Sequence, residues 1–254
     1  MILRTRVESE RNLEKILRQH FGLSSRMITE LRKEGMIFVD GKVRHTNYMV
    51  KKGSEVHVKL DFERNTYPTE AMDIEVIYED ECLLVINKDP YRSVHPTSGV
   101  PNGTLLNGVG HYAKMKGEDY KIRFVHRLDR DTSGVLIIAK NKFIHHKLSE
   151  QFINRSPEKI YLALVQGIPP KEFRVEGKIG KEEGEIRRKF FPGGQDSLTE
   201  FTRLWSRDKY SLVECRPITG RTHQLRLHLA HKGHVILGDE LYGYVGDIKR
   251  QLLH

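Results

Sequence analysis

The sequence predicts an α+β protein of two domains, and three observations lead to this class. Apolar residues in the first 35 positions recur with helical spacing and precede short strand signals around an Asp-Gly turn. After residue 72, apolar runs of strand length are bounded by turn signals. Between the two regions, residues 61–80 carry seven acidic side chains against one basic side chain. Residues 61–72 are therefore predicted to link a domain at 1–60 to a domain at 73–254.

Two helices and a hairpin are predicted for the first domain. The first helix has one apolar face and stops before Gly22. That face consists of Leu13, Ile16, Leu17 and Phe21. A second helix, capped by Ser24 or Ser25, ends at Gly35. Asp40-Gly41 lies between apolar residues and predicts a type I′ turn that joins two strands.

The second domain is predicted to begin with two strands, at 74–77 and 82–86, joined by an acidic turn. A Gly- and Pro-rich loop then leads into a helix that Thr104 caps. Gly108 and Gly110 follow no strand and lack a third glycine, and the sequence contains no GK[ST] phosphate loop. We therefore expect no nucleotide cofactor.

Composition excludes several classes of protein. The chain has 254 residues, of which 38% are hydrophobic, enough to bury a core and too many for a disordered chain. Its apolar runs fall far short of the roughly 18 residues of a membrane span, and its start lacks the apolar stretch of a secretory signal. Two cysteines cannot hold a chain of this length together. We expect a reduced, cytoplasmic monomer without membrane contact.

The charge favours partners that carry phosphate. The chain holds 43 Lys and Arg against 34 Asp and Glu, and residues 1–60 alone hold 13 basic against 7 acidic side chains. The order of a helix, a basic helix, the hairpin VDGKVR and the segment VKKGSEVHV resembles the alpha-L RNA-binding domain of small-subunit ribosomal protein four. This resemblance covers roughly residues 11–60. From the residues alone, a generic small α+β domain with a solvated basic face stays open.

If the resemblance holds, basic side chains of the first domain line a surface that contacts RNA phosphates. Those side chains are Arg26, Arg32, Lys33, Lys42 and Arg44. Contacts of this kind give salt-sensitive affinity and carry little information about base sequence.

Residues 124–140 read FVHRLDRDTSGVLIIAK and form the most informative segment. A polar loop with two Asp and two Arg precedes Gly134 and a buried strand at 135–139. Such a loop holds Asp129 at the edge of a rigid sheet, a common place for catalytic side chains. By spacing alone, Asp129 fits a structural loop cap equally well.

The segment VHRLDRDTSGVLIIAK closely resembles the HRLDxxTSG signature of the RluA-type pseudouridine synthases. Further motifs of that family follow in order: VHP at 94–96, NGTLLN at 102–107, EKIYLALVQG at 158–167, ITGRTHQLRLHLAHKGHVILGD at 218–239 and LYG at 241–243. The resemblance covers about residues 72–245. It implies a catalytic domain built on a mixed, mainly antiparallel sheet with a cleft across it. The alpha-L domain is the usual companion in the ribosomal-RNA branch of the family.

The resemblance implies an isomerase that converts uridine in RNA to pseudouridine without metal, nucleotide or other cofactor. It favours large-subunit ribosomal RNA as the substrate, with transfer RNA as the alternative. The implied catalytic residues are Asp129, Tyr161, which stacks on the base, and Arg226, expected to pair bidentately with Asp129 and keep it an anion. Arg127 is implied to take the place of the flipped nucleotide, and Arg221 to bind RNA.

The residues themselves allow other interpretations. Arg226 fits the outward position of a helix or strand, Tyr161 fits a core position, and Arg130 with Asp131 fits a solvated pair. Four histidines suggest zinc, but no HExxH or paired-Cys spacing accompanies them, so no metal is expected. They are His223, His228, His231 and His234.

Two functions other than RNA isomerisation stay open. A non-catalytic RNA-binding protein could dispense with Asp129, and a glycoside or nucleoside hydrolase would need a second carboxyl such as Asp131.

The family's NKPxG is replaced here by NKDPYRSVHP, which changes the turn at 88–93. Relatives continue beyond KRQLLH through another strand, so we expect the catalytic domain to lack a C-terminal strand and to expose a sheet edge.

Overall fold

The computed structural model describes residues 1–60, 63–97 and 99–254, so the predicted linker at 61–72 begins with two residues outside the described ranges. The chain divides into two compact units. One comprises Met1–Arg64 with Asn141–Phe143, and the other comprises Asn65–Lys140 with Ile144–His254. None of the helices in the described ranges is long and apolar enough to cross a membrane.

The first unit packs two helices against small antiparallel sheets. Its elements are β1 (Ile2–Arg6), β2 (Arg11–Asn12), α1 (Leu13–Gln19), α2 (Ser25–Lys33), β3 (Ile37–Val39), β4 (Lys42–Val43), β5 (Met49–Val50) and β6 (Glu55–Lys59). Four strands form a sheet in the order β1-β6-β3-β4, and β2 pairs with β5. The apolar faces of both helices and the inward residues of β3 and β6 form one core.

Local signals in the first unit predicted its structure well. Asn12 caps α1 by accepting hydrogen bonds from two backbone N–H groups, and Ser24 caps α2 by accepting one from Met27. Asp40 and Gly41 both have positive φ, at 49° and 75°, as a type I′ turn requires. The predicted Ser24 cap and Asp40-Gly41 turn are confirmed, whereas the Asn12 cap and β1 were not predicted.

The second unit contains two antiparallel sheets. Its elements are β7 (Glu75–Glu79), β8 (Leu83–Lys88), α3 (Leu105–Met115), β9 (Arg123–Phe124), β10 (Gly134–Ala139), α4 (Lys142–Ile153), β11 (Tyr161–Gln166), β12 (Glu172–Gly180), β13 (Lys189–Phe190), β14 (Gln195–Arg207), β15 (Tyr210–Pro217), α5 (Gln224–His231) and a 3₁₀ turn (Glu240–Tyr242). The first two residues of α4 belong to the first unit. The strand orders are β7-β8-β10-β9 and β11-β15-β14-β12-β13. The predicted α+β class with mainly antiparallel sheets is confirmed.

Two apolar cores hold these sheets. One lies between α3 and the strands β8 and β10, and the other lies between α5 and the strands β11, β14 and β15. Tyr161, the first residue of β11, packs against both cores. The loop before β10 is anchored by Leu128, which is buried in the first of them. A carboxylate on this loop is therefore held firmly near the start of β11.

The edge of β11 that faces away from β15 is paired. Isolated bridges join Val165 to Ile236 and Ala163 to Leu253. The backbone N–H of Leu162 donates to the carbonyl of His254 at 2.7 Å. The last described residues therefore satisfy the backbone groups along this edge.

Candidate active site

A cleft of about 560 Å³ crosses the second unit. The loop before β10, the end of α4, the start of β11 and the loop that enters α5 form its walls. Five of the predicted site residues line it: Arg127, Asp129, Tyr161, Arg221 and Arg226. The fold thus brings together side chains from three distant segments of the sequence.

The five basic residues predicted in the first domain lie in the first unit, and none belongs to the described residues that line this cleft. Four of them are exposed: Arg26, Arg32, Lys33 and Lys42. Arg44 is half-buried, with its guanidinium 4.7 Å from the centre of the Tyr48 ring. Arg26 donates to Glu30 at 3.1 Å.

The carboxylate of Asp129 lines the cleft and makes few hydrogen bonds to the described part of the chain. Its Oδ2 accepts a long hydrogen bond of 3.4 Å from Nη1 of Arg226, and Nε2 of His223 lies 3.9 Å away. Its side chain keeps 21% of its exposure. The carboxylate is therefore oriented by positive charge while oxygen lone pairs remain available to a substrate.

Arg226 pairs bidentately with Asp239 and not with Asp129, which corrects the expectation from sequence. Its Nε and Nη2 each donate to one oxygen of Asp239 at 2.7 Å, and both side chains are buried. Because this edge of the guanidinium is occupied, only Nη1 reaches Asp129. The interpretation of Arg226 as an outward position is also wrong, since it is 7% exposed.

Tyr242 and His223 complete the network around Arg226. The guanidinium carbon of Arg226 lies 5.1 Å from the centre of the Tyr242 ring, a cation–π distance. The Tyr242 hydroxyl contacts Nδ1 of His223 at 3.3 Å. Burial lowers the pKa of His223; the charge of Asp129 acts against this shift and the charge of Arg226 acts with it, and the neutral imidazole is favoured.

Sequence reasoning missed Asp239, Tyr242 and His223 as members of the site. Asp239 and Tyr242 lie in the ILGD and LYG motifs, which carry the family resemblance but give no hint of a contact with α5. A buried ion pair between a helix and a turn 13 residues away follows no spacing rule.

Tyr161 supplies an apolar face beside the carboxylate. Burial raises the pKa of its hydroxyl to about 12, and the negative charge of Asp129 acts in the same direction. The phenol is therefore protonated at neutral pH. Its ring is partly buried between the two cores yet lines the cleft, so both the core interpretation and the site interpretation describe it.

Arg127 is exposed at the cleft, two residues from Asp129, and forms no ion pair with any described residue. Arg221 is partly buried, and its Nε donates to the backbone carbonyl of Asp196 at 3.0 Å. Arg130 and Asp131 form the predicted pair, bidentate at 2.8 and 2.9 Å, but only Arg130 is well solvated, since it is 63% exposed and Asp131 is 20% exposed. Asp131 is thus engaged by a neighbouring cation.

The histidines do not form a metal site in the described part of the chain, where no cluster of three His, Cys, Asp or Glu side chains is arranged to bind an ion. His228 is fully buried between the hydroxyls of Ser197 and Thr199, at 2.9 and 3.0 Å. Burial lowers its pKa to about 4. His228 is therefore a neutral core residue whose two ring nitrogens are both bonded.

Lys88 is a buried lysine whose hydrogen bonds anchor the loop that carries Asp129. It is 1% exposed, and its ammonium donates to the carbonyls of Asp89 and Arg130, both at 2.7 Å. It lies where the sequence departs from NKPxG, and the exposed Tyr91 in the same turn has a left-handed φ of 66°. Burial lowers the pKa of Lys88 from 10.5 to about 8 in spite of the surrounding carboxylates.

This pKa predicts a pH-dependent stability. Between about pH 8 and 10.5 the unfolded chain binds the Lys88 proton and the folded protein does not, so the unfolding free energy rises with pH through that window. We expect a rise of about 3 kcal/mol from this residue. Urea unfolding of the native protein and of Lys88→Met at pH 7.5 and 10.5 checks it. The native protein must gain about 3 kcal/mol of stability relative to Lys88→Met between these two pH values; a constant difference would contradict the assignment.

The chain is similar to proteins of one family. Residues 82–231 match the family described as RNA pseudouridylate synthase. The RNA pseudouridine synthase YhcT of Bacillus subtilis is 37% identical over 84% of this chain and 74% of its own length. Ribosomal large subunit pseudouridine synthase D of Neisseria meningitidis is 32% identical over 83% of this chain and 58% of its own length. The solved structure of human RNA pseudouridylate synthase domain containing 1 matches with a TM-score of 0.61 and 29% identity, covering 74% of this chain and 79% of that one.

Proposed function

The chain belongs to the RNA pseudouridylate synthase family and is an isomerase, and on that premise we propose that it converts specific uridines of large-subunit ribosomal RNA to pseudouridine. The observation that carries the proposal is the pairing of Asp129 with an arginine locked in place by Asp239, opposite Tyr161 in one cleft. The relative named for the ribosomal large subunit supports the choice of RNA.

The reaction sets three demands on the cleft. The bond between ribose C1′ and uracil N1 breaks, a bond between C1′ and uracil C5 forms, C5 loses a proton and N1 gains one. No atom is gained or lost overall, so neither an oxidant nor an outside group donor is required. The protein must act at the ribose, retain the detached uracil while it turns, and keep water away from the reactive sugar.

Asp129 meets the first demand as the group that acts on the ribose and its bond to uracil. Within the described ranges its carboxylate accepts one long hydrogen bond, which leaves oxygen lone pairs available at the cleft. The positive charge of Arg226 orients the carboxylate in a partly desolvated place, and Asp239 fixes the guanidinium so that it does not fold over the carboxylate. In this arrangement, the side chain of Asp129 is positioned to act as nucleophile or base before substrate binds.

Tyr161 meets the second demand. Stacking of uracil on one aromatic ring is worth about 1–3 kcal/mol and has no preferred rotation about the ring normal. The detached base therefore stays in the cleft while C5 turns toward C1′. Because the hydroxyl is protonated, the ring places no negative charge beside the sugar in addition to that of Asp129.

Arg127 acts before the chemistry. A uridine within an RNA helix must leave the stack, which costs a few kcal/mol. Arg127 is exposed at the cleft and free of ion pairs within the described ranges, so its long cationic side chain can occupy the place that the base vacates. The flipped nucleotide then reaches Asp129, two residues further along the chain.

Pseudouridine maps of ribosomal and transfer RNA from cells with and without this protein test the substrate. We expect one or a few positions of large-subunit ribosomal RNA to revert to uridine in its absence. Expression of the native chain must restore them, and expression of Asp129→Asn at the same level must not. Loss of pseudouridine from transfer RNA alone would contradict the ribosomal target, and unchanged maps would contradict the proposed function.

The first unit is proposed to bind RNA through its basic surface. Replacement of three exposed side chains, in Arg32→Gln/Lys33→Gln/Lys42→Gln, is expected to weaken RNA binding and to flatten its salt dependence. Each lost phosphate contact lowers the slope of log affinity against log salt by about 0.7–0.9, so a change of about 2 is expected. Filter binding of a large-subunit ribosomal RNA transcript at several salt concentrations measures the slope.

A variant with the same change in net charge serves as the control. Lys114→Gln/Lys209→Gln/Lys232→Gln removes three exposed lysines of the second unit that lie outside the cleft lining. It should keep most of the native slope. Equal flattening by both triple variants would mean that total charge alone matters, and would refute the role of the first unit.

A further inference from the structure

Away from Asp129, the cleft holds a second group of cations. They are Arg155, which follows α4, Lys159, which precedes β11, and Arg221, which precedes α5. None of the three forms an ion pair with a carboxylate in the described ranges of the chain. The one side-chain hydrogen bond that they make there joins Nε of Arg221 to the backbone carbonyl of Asp196.

Arg155 and Arg221 both lie close enough to Lys159 to repel its charge. The pKa of Lys159 is lowered by burial and then by the charges of Arg155 and Arg221. The Lys159 ammonium also lies against the loop that carries Arg221, since a Cβ atom on Gly220 would be 3.7 Å from its Nζ. Lys159 and Arg221 are partly buried while Arg155 is exposed; like charges without a counterion cost free energy, most of all where they are partly buried, and a bound anion would recover it.

The position of these three cations restricts the kind of anion that they can bind. Lys159 and Tyr161 are two residues apart, so their Cα atoms lie within about 7 Å of each other. An anion held there lies about one nucleotide from a base stacked on Tyr161. Two planar guanidinium groups and an ammonium suit an oxyanion with several free oxygens. Ile153 and Ile218, exposed at 77% and 37%, flank the group and add apolar surface suited to a sugar.

We propose that Arg155, Lys159 and Arg221 form a subsite for a backbone phosphate of the RNA strand, next to the flipped uridine. The proposal rests on the proposed function, because it takes RNA to be the substrate of this cleft. The subsite fixes the register of the strand, so that one uridine rather than its neighbour reaches Asp129.

Lys159→Met tests the subsite by binding and by kinetics. We expect about tenfold weaker binding of a large-subunit ribosomal RNA transcript and a salt slope smaller by about 0.7–0.9. In tritium-release kinetics on RNA labelled at uracil C5, KM should rise by more than kcat falls. Lys159→Arg keeps the charge and should retain most of the native slope, which separates loss of charge from loss of folding.

Lys209→Met is the matched control. Lys209 precedes β15 at the end opposite Pro217, and the strand rise of about 3.4 Å per residue places it roughly 24 Å from the cleft. It should bind RNA with the native slope. A native slope in Lys159→Met, or equal losses in Lys159→Met and Lys209→Met, would overturn the subsite. If the native protein releases no tritium, the proposed function fails, and the salt slopes still decide whether these cations bind RNA phosphate.

Discussion

Asp129→Asn is expected to lower the rate of isomerisation by at least about 10⁴-fold while RNA affinity changes by less than about threefold. The amide has the shape of the carboxylate but neither its charge nor its nucleophilicity. Because the carboxylate makes one long hydrogen bond to the part of the chain that the structure describes, its replacement should disturb little structure. Single-turnover tritium release and filter binding with the same RNA transcript measure the two quantities.

Asp131→Asn is the control for this prediction. Asp131 lies two residues away on the same loop, is 20% exposed and is paired with Arg130. We expect its rate to stay within about threefold of the native rate, because Asp131 is not among the described residues that line the cleft. If Asp129→Asn lost affinity as steeply as rate, Asp129 would be a binding residue and not the reacting group.

Arg226→Met is expected to lower the free energy of unfolding by about 3–5 kcal/mol in addition to abolishing activity. Asp239 is 1% exposed, and both of its oxygens accept from this guanidinium. Removal of Arg226 leaves that carboxylate buried without its counterion, which is costlier than loss of the contact itself. Chemical denaturation of the two proteins in the same buffer measures the change.

Two further variants make the interpretation specific. Arg130→Met removes another bidentate Arg–Asp pair, but the Arg130 side chain is 63% exposed, so we expect a cost of no more than about 1 kcal/mol. Arg226→Met/Asp239→Asn removes both buried charges and should be more stable than Arg226→Met alone. If Arg226→Met and Arg130→Met lowered the free energy of unfolding by similar small amounts, the buried pair would stabilise the protein no more than the exposed pair does.

The sequence predicted those parts of the fold that local chemistry determines. The Asp40-Gly41 turn, the Ser24 cap and the first hairpin of the second unit each depend on a few adjacent residues. The order β11-β15-β14-β12-β13 depends on pairings between distant segments, for which periodicity gives no information. The antiparallel character of the sheets was available only through the family resemblance.

The same division applies to the candidate site. Asp129, Tyr161 and Arg226 were nominated by motifs, and the fold places them in one cleft. The expected contact of Arg226 with Asp129 is present as one long hydrogen bond, but the bidentate pair forms with Asp239, because a motif names residues and does not say how each of them is bonded. Lys88 was missed because a lysine in a sequence is normally exposed, and its burial becomes visible only in three dimensions.

The central claim is that this cleft isomerises uridine through Asp129, and its most direct test is incubation of the purified chain with unmodified RNA that carries tritium at uracil C5. We predict tritium release into water, an equal amount of pseudouridine in the digested RNA and no free uracil, with all activity lost in Asp129→Asn. Free uracil would instead indicate hydrolysis of the N1–C1′ bond. Free uracil, or full activity in Asp129→Asn, would contradict the claim.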